Sequence, residues 1–196
     1  MKKFKIGVFG SNAKELDATV IDKAKQIGKE LARYNIIVIT GASSGVPYLV
    51  AYEAAKRGIE VWGYSPVNVI ENQKRFAPND DISIYKKIVF VPKNFLFSSN
   101  LEVSKKYRNV ISTANCDTGI IVSGRWGTLN EFTNLYDMGK IIGVLTGTGG
   151  IADQLQVLTQ KIHKRSKAKV LFNNSPKELV EKVIKELKTR AEQQTY

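Results

Sequence analysis

Short apolar runs alternate with amphipathic segments along almost the whole chain. The run FKIGVFG at 4–10 predicts a buried strand, and apolar positions at helical spacing over 17–34 predict a helix. β-Branched residues at 35–40, closed by Gly41, predict a second strand. Residues 46–58 predict a helix with Pro47 in its first turn and Gly58 at its stop, and 59–66 a third strand. Polar and turn residues over 67–86 fit a long connection rather than a core element. The alternation then resumes, with strands at 87–92, 118–124, 140–147 and 168–173 and helices at 98–115, 127–139, 149–164 and 175–193. In the last of these, Ser175, Pro176 and Glu178 supply an N-cap, a first-turn proline and a capping-box glutamate.

Seven strands alternating with six or seven helices predict one α/β domain over 1–196, a Rossmann-like, doubly wound, mainly parallel sheet with helices on both faces. The strands are continuous apolar runs, as burial on both sides requires. No internal repeat, low-complexity block or interdomain linker interrupts the pattern. In such a sheet, ligands bind outside the carboxyl ends of the strands, where the strand order reverses, so the strand-to-helix loops are the place to search. Four of the six, at 10–15, 40–47, 123–128 and 146–150, combine glycine with serine or threonine. Backbone N–H groups at helix N-termini, with hydroxyls beside them, suit phosphate. Gly10, Ser11, Gly41, Ser43, Ser44, Gly45, Gly124, Arg125, Gly127 and Thr128 are therefore the candidate phosphate- or nucleotide-binding residues. The run TGTGG at 146–150 reads as a flexible loop able to close over a ligand.

Composition narrows the chemistry. At 196 residues, 43% hydrophobic and 24% charged, the chain has globular values. No apolar run reaches the roughly 18 residues of a membrane span. Glycines break the apolar stretch after the basic N-terminus, so a strand rather than a signal peptide is expected there, and the cytoplasm as the location. The single cysteine, Cys116, and single histidine, His163, exclude an internal disulfide and a Cys/His zinc site, and Cys116 reads as a buried, inert thiol. The net charge of +12 suits anionic ligands, but ten Lys/Arg against four Glu from residue 160 onward place about half of the excess in the last two elements. The lysines of the terminal helix are spaced as a solvated face is, so nucleic acid is not the expected partner. P-loop, dinucleotide-binding and nucleophile-elbow signatures are absent from the sequence, and His163 sits on a helix away from the loop edge. Carboxylates and arginines remain for chemistry, with no metal or organic cofactor.

The stretches GVFGSN, ITGASSGVPYLVAYEAAKRG, KKYRNVISTANCDTGIIVSG and GRWGTLNEF follow one another in the order and spacing of the LOG family, which the chain resembles over about residues 4 to 146. That family includes cytokinin riboside 5′-monophosphate phosphoribohydrolases, long labelled "possible lysine decarboxylase", within a wider group of DprA-related Rossmann-like proteins. Its most specific signature is an arginine on the helix before the fifth strand, paired with P-G-G-x-G-T-x-x-E after it. Arg108 matches that arginine, and Gly124, Gly127, Thr128 and Glu131 match the second motif; Asn109 stands where plant-type enzymes have lysine, Ser123 replaces the proline and Arg125 the second glycine. The Arg-Asn pair resembles the DprA-related branch. The resemblance implies hydrolysis of a nucleoside 5′-monophosphate to free base and ribose 5-phosphate, with Arg108 and Glu131 as catalytic residues and a homodimer as the assembly. A non-catalytic nucleotide or molybdenum-cofactor-type binder on the same fold is the alternative. The residues alone leave other roles open: Glu131 as a first-turn helix carboxylate, Arg108 as a solvated cation, Arg125 as phosphate ligand or plug, and Trp126 as a base-stacking ring or a side chain packed beside the turn.

Overall fold

The computed structural model describes residues 3–13, 15–162 and 164–193. Its seven strands are β1 (Phe4–Gly10), β2 (Ile36–Thr40), β3 (Glu60–Tyr64), β4 (Lys87–Val89), β5 (Thr118–Val122), β6 (Ile141–Leu145) and β7 (Lys169–Asn173). They form one sheet in the order β4-β3-β2-β1-β5-β6-β7, and every pairing is parallel. The connecting helices are α1 (Ala18–Leu31), α2 (Val46–Ala55), α3 (Ile70–Phe76), α4 (Leu101–Asn115), α5 (Trp126–Asp137), α6 (Leu155–Lys161) and α7 (Pro176–Gln193). The chain starts in the middle of the sheet, adds β2 to β4 on one side, then returns past β1 to add β5 to β7 on the other. The reversal falls between β1 and β5, so the crevice of a doubly wound fold lies above their carboxyl ends.

Because successive strand residues face opposite sides, a continuous apolar strand fills two cores at once. Ile120 and Val122 enter a cluster with α1, α2 and α7, through Ile27, Val50 and Val183. Ile121 between them enters the other, with Phe132 and Leu135 of α5 and Leu155 of α6. Helix α4 is different: its buried residues are Ser104, Asn109, Ser112 and Thr113. Ser112 and Thr113 satisfy their hydroxyls on the Asn109 carbonyl at 3.1 and 2.6 Å, so this helix buries small polar groups without leaving them unpaired.

The elements differ from the sequence expectation in three places. Residues 67–86 are not featureless: they hold α3 and a 3₁₀ turn at Ile82–Ile84, and Gln73, Ala77 and Tyr85 are buried. Helix α6 is confined to Leu155–Lys161, because Gly149 and Gly150 take φ of +70° and +60°, outside the helical region. His163 lies outside the described residues. At α7 the Glu178 N–H donates to Ser175 Oγ at 3.4 Å, but the Glu178 carboxylate accepts from the Asn173 amide at 3.0 Å, so only half of the expected capping box forms. Cys116 is buried as expected, its Sγ donating to the Thr113 carbonyl at 3.2 Å, and burial pushes its thiol up to about 12. Among the described residues no helix is long and apolar enough to cross a membrane.

Candidate functional site

A cavity of about 420 Å³ opens at the carboxyl ends of β1, β2 and β5, within the range of small-molecule pockets. Of the sequence candidates, Gly10, Ser11, Gly41, Ser43, Arg108, Arg125, Gly127, Thr128 and Glu131 line it. Ser44, Gly45 and Gly124 do not, and each has a structural task nearby. Ser44 Oγ donates to Asp80 Oδ2 at 2.9 Å, tying the β2–α2 loop to the segment after α3. Gly45, at φ +80°, is the N-cap of α2 and lies against the Ser11 carbonyl, which accepts from the Val46 N–H at 2.8 Å. Gly124, at φ +98°, lies against the Thr128 side chain, where a Cβ would collide.

The floor of the cavity is an ion pair. Arg108, in the second turn of α4, reaches across to Glu131 on α5, with Nη1 3.9 Å from Oε1; the two side chains are 11% and 8% exposed. Gly41 makes room for this, since a Cβ there would overlap Arg108 Nη1. Asn109 adds a second contact: with its amide nitrogen turned toward its acceptors, it donates to Glu131 Oε1 at 3.1 Å and to the Lys105 carbonyl at 3.0 Å. Both contacts use Oε1. Burial pushes the Glu131 carboxyl up to about 7, against the pull of Arg108 and, more weakly, Lys106. Burial also holds the Arg108 guanidinium below its usual value, with Glu131 acting in the opposite sense.

Glu131 is not the first-turn carboxylate that the sequence allowed. Helix α5 begins at Trp126, which puts Glu131 in the second turn, and the first turn carries no acidic residue. That removes the capping explanation for this buried charge. The first turn instead starts from Arg125 with no side-chain cap, and its first backbone bond is Leu129 N–H to the Arg125 carbonyl. The N–H groups of Trp126, Gly127 and Thr128 have no acceptor within the helix, and all three residues border the cavity. Arg125 Nη2 donates to Asn12 Oδ1 at 3.0 Å, across to the β1–α1 loop. Trp126 is 81% exposed at the cavity edge and is not packed beside the turn.

The glycine-rich run at 146–150 is not among the residues lining the cavity. Its N–H groups at Gly147 and Gly149 donate to the Asp153 carboxylate at 2.7 and 2.9 Å, so the chain's own aspartate fills the anion-binding curl expected there. The same loop buttresses the site: Thr148 Oγ1 accepts from the Ser123 N–H at 2.8 Å and donates to the Leu145 carbonyl at 2.7 Å. Residues not taken as site candidates from the sequence also line the cavity: Asn12, Lys105 and Lys106 were passed over, and Asn109 was read only as a departure from the resembled motif. Their signal was present: Glu102, Lys105, Lys106 and Asn109 recur at helical spacing with Arg108. Among the described residues no group of three or more His, Cys, Asp or Glu side chains could hold a metal ion.

The SLOG cluster4 family model matches residues 3–180. No curated protein matches. Among solved structures the chain is similar to TM1055, a structural-genomics target, with 22% identity, a TM-score of 0.74, and coverage of 93% of this chain and 99% of that one. It is similar to the molybdenum cofactor binding protein of the phototrophic bacterium Rippkaea orientalis at 19% identity and a TM-score of 0.69, over 95% and 98% of the two chains. DNA processing protein A of Helicobacter pylori, whose single-stranded DNA binding mode has been described, is similar at 15% identity and a TM-score of 0.61, over 93% and 81%. At these identities the likeness is one of fold.

Proposed function

The chain belongs to the SLOG cluster4 family, and from that premise we propose that its cavity binds a nucleoside 5′-monophosphate and that the chain hydrolyses the N-glycosidic bond to free base and ribose 5-phosphate. One observation carries this reading. A buried carboxylate, Glu131, is oriented through one oxygen by Arg108 and Asn109 in the same cavity that the uncapped first turn of α5 borders. The free N–H groups of that turn suit the 5′-phosphate. A phosphate there brings the sugar toward Glu131. Loss of the base gives the ribose oxocarbenium character, which a nearby carboxylate stabilises. Glu131 then takes a proton from water as the water oxygen bonds to the anomeric carbon and the carbon–nitrogen bond breaks; the departing base nitrogen gains its proton from solvent.

The test is incubation with AMP, GMP, IMP and CMP, followed by assay of base and ribose 5-phosphate. Release is expected from at least one nucleotide, and its loss by a factor of about 10² or more in Glu131→Ala. Because the carboxylate form is the working base, the rate should rise through pH ~7 and level off above it. No turnover of any nucleotide, with Glu131→Ala indistinguishable from the parent, removes the enzymatic reading.

A second reading is non-catalytic binding of a nucleotide or a molybdenum-cofactor-type phosphate ligand. It draws on Arg125, which stands where the resembled motif has glycine and narrows the mouth through Asn12. Tight binding without product release selects it.

A further inference from the structure

The charges around the cavity do not cancel. Lys105 Nζ lies 2.7 Å from Glu102 Oε1, and Arg108 is paired with Glu131. Lys106 and Arg125 line the same cavity, and neither has a carboxylate within ion-pair distance among the described residues. Arg125 is held instead by the neutral Asn12 amide oxygen, through one of its five N–H groups. That single bond fixes the guanidinium across the mouth while leaving its charge and its remaining donors for a ligand. The backbone at Arg125 is extended, with φ −130° and ψ −152°, so an arginine sits there without strain in place of the motif's glycine.

Resting on the nucleotide-pocket reading, we propose that Arg125, Lys106 and Asn12 form a clamp that selects a terminal phosphomonoester dianion and rejects phosphodiesters. Two uncompensated cations match a charge near −2, which a phosphomonoester carries at neutral pH. An internal phosphate of a nucleic-acid strand carries only −1 and has a substituent on the oxygen that the clamp would hold. Asn12 is the sensitive element. An amide positions Arg125 without neutralising it, whereas a carboxylate at residue 12 would pair with it and cancel half of the free charge. The clamp thus distinguishes a free nucleotide from a single-stranded nucleic acid on the same fold.

The test uses a C-nucleoside 5′-monophosphate, whose base is joined through carbon and cannot be cleaved, alongside its nucleoside and the methyl diester of its phosphate. Binding is followed by calorimetry. The monoester should bind about tenfold or more tighter than either analogue. Arg125→Ala and Lys106→Ala should each lose about tenfold for the monoester and leave the nucleoside unaffected. Asn12→Asp should lose as much as Arg125→Ala with an unchanged or raised Tm, a result that a purely structural role for residue 12 would not give. Equal affinity for monoester and diester, or an Asn12→Asp protein that binds as the parent does, overturns the clamp and leaves the pocket reading standing. If none of the three compounds binds, both fall together.

Discussion

Arg108 reaches Glu131 through a space that exists because residue 41 has no side chain. The φ of Gly41 is not positive, so alanine there meets no backbone strain and acts by steric displacement alone. Gly41→Ala should move the guanidinium and cut base release by roughly 10- to 100-fold, while circular dichroism stays that of the parent. Trp126 gives a second test at this scale, because a ring 81% exposed at the mouth contributes little to the fold. Trp126→Ala should leave Tm within about 2 °C and weaken a bound nucleotide by about tenfold, as loss of one base-stacking ring does. Arg108 and Glu131 were legible in the sequence because their residue types and spacing carry the resemblance. Asn12 and Lys106 were not singled out, since an asparagine in a loop and a lysine on a basic helix look like ordinary surface until the fold sets them around one cavity.

Among the elements, the β5–α5 turn is where the sequence departs most from the resembled motif, and the backbone accounts for the departure. Ser123 has φ +53°, which proline's ring forbids, and its N–H is bonded to Thr148, which proline could not supply. This turn is therefore locked to the β6–α6 loop in a conformation unavailable to a proline-bearing turn. Ser123→Pro should destabilise by about 3 kcal/mol or more, a fall in Tm of roughly 10 °C, whereas Ser123→Gly should stay within about 1 kcal/mol, because glycine adopts the same φ freely. Thermal unfolding of the pair measures it, and equal Tm values would show that the turn rearranges. The same local physics sets the limits of reading elements from pattern. Long apolar strands and α1, α2, α4, α5 and α7 were legible within a few residues because two buried faces demand them. Helix α3 was not, since IENQKRF has a weak apolar stripe and buries chiefly Gln73, whose amide donates to the Ala42 carbonyl at 2.8 Å and so serves the loop beside the site. The helical period at 149–164 overran because Asp153 gathers the N–H groups of 147–149 into a turn before α6 can start.

For the molecule as a whole, the sheet order concentrates one unusual ionisable group at the crevice, and the fold's stability must carry its signature. The Glu131 carboxyl is pushed up to about 7 in the folded protein from an ordinary value of 4.5. Between these two values the folded state binds more protons than the unfolded state, so stability falls as pH rises through that window. Below about 4.5 both states are protonated and Glu131 contributes no pH dependence; above about 7 both are ionised, and the folded state carries the full cost, of order 3 kcal/mol. Glu131→Gln removes this titration. It also leaves Arg108 without a counter-charge, as protonation of Glu131 does in the parent, and the pull of Arg108 on the carboxylate is already contained in the raised value of about 7. The difference in unfolding free energy, Glu131→Gln minus parent, should therefore grow by about 3 kcal/mol from pH 4.5 to pH 8, whatever its starting value. Urea denaturation at four or five pH values measures it. A difference that stays flat would mean that Glu131 titrates normally, and the rise in rate through neutral pH expected of a buried general base would then lose its cause.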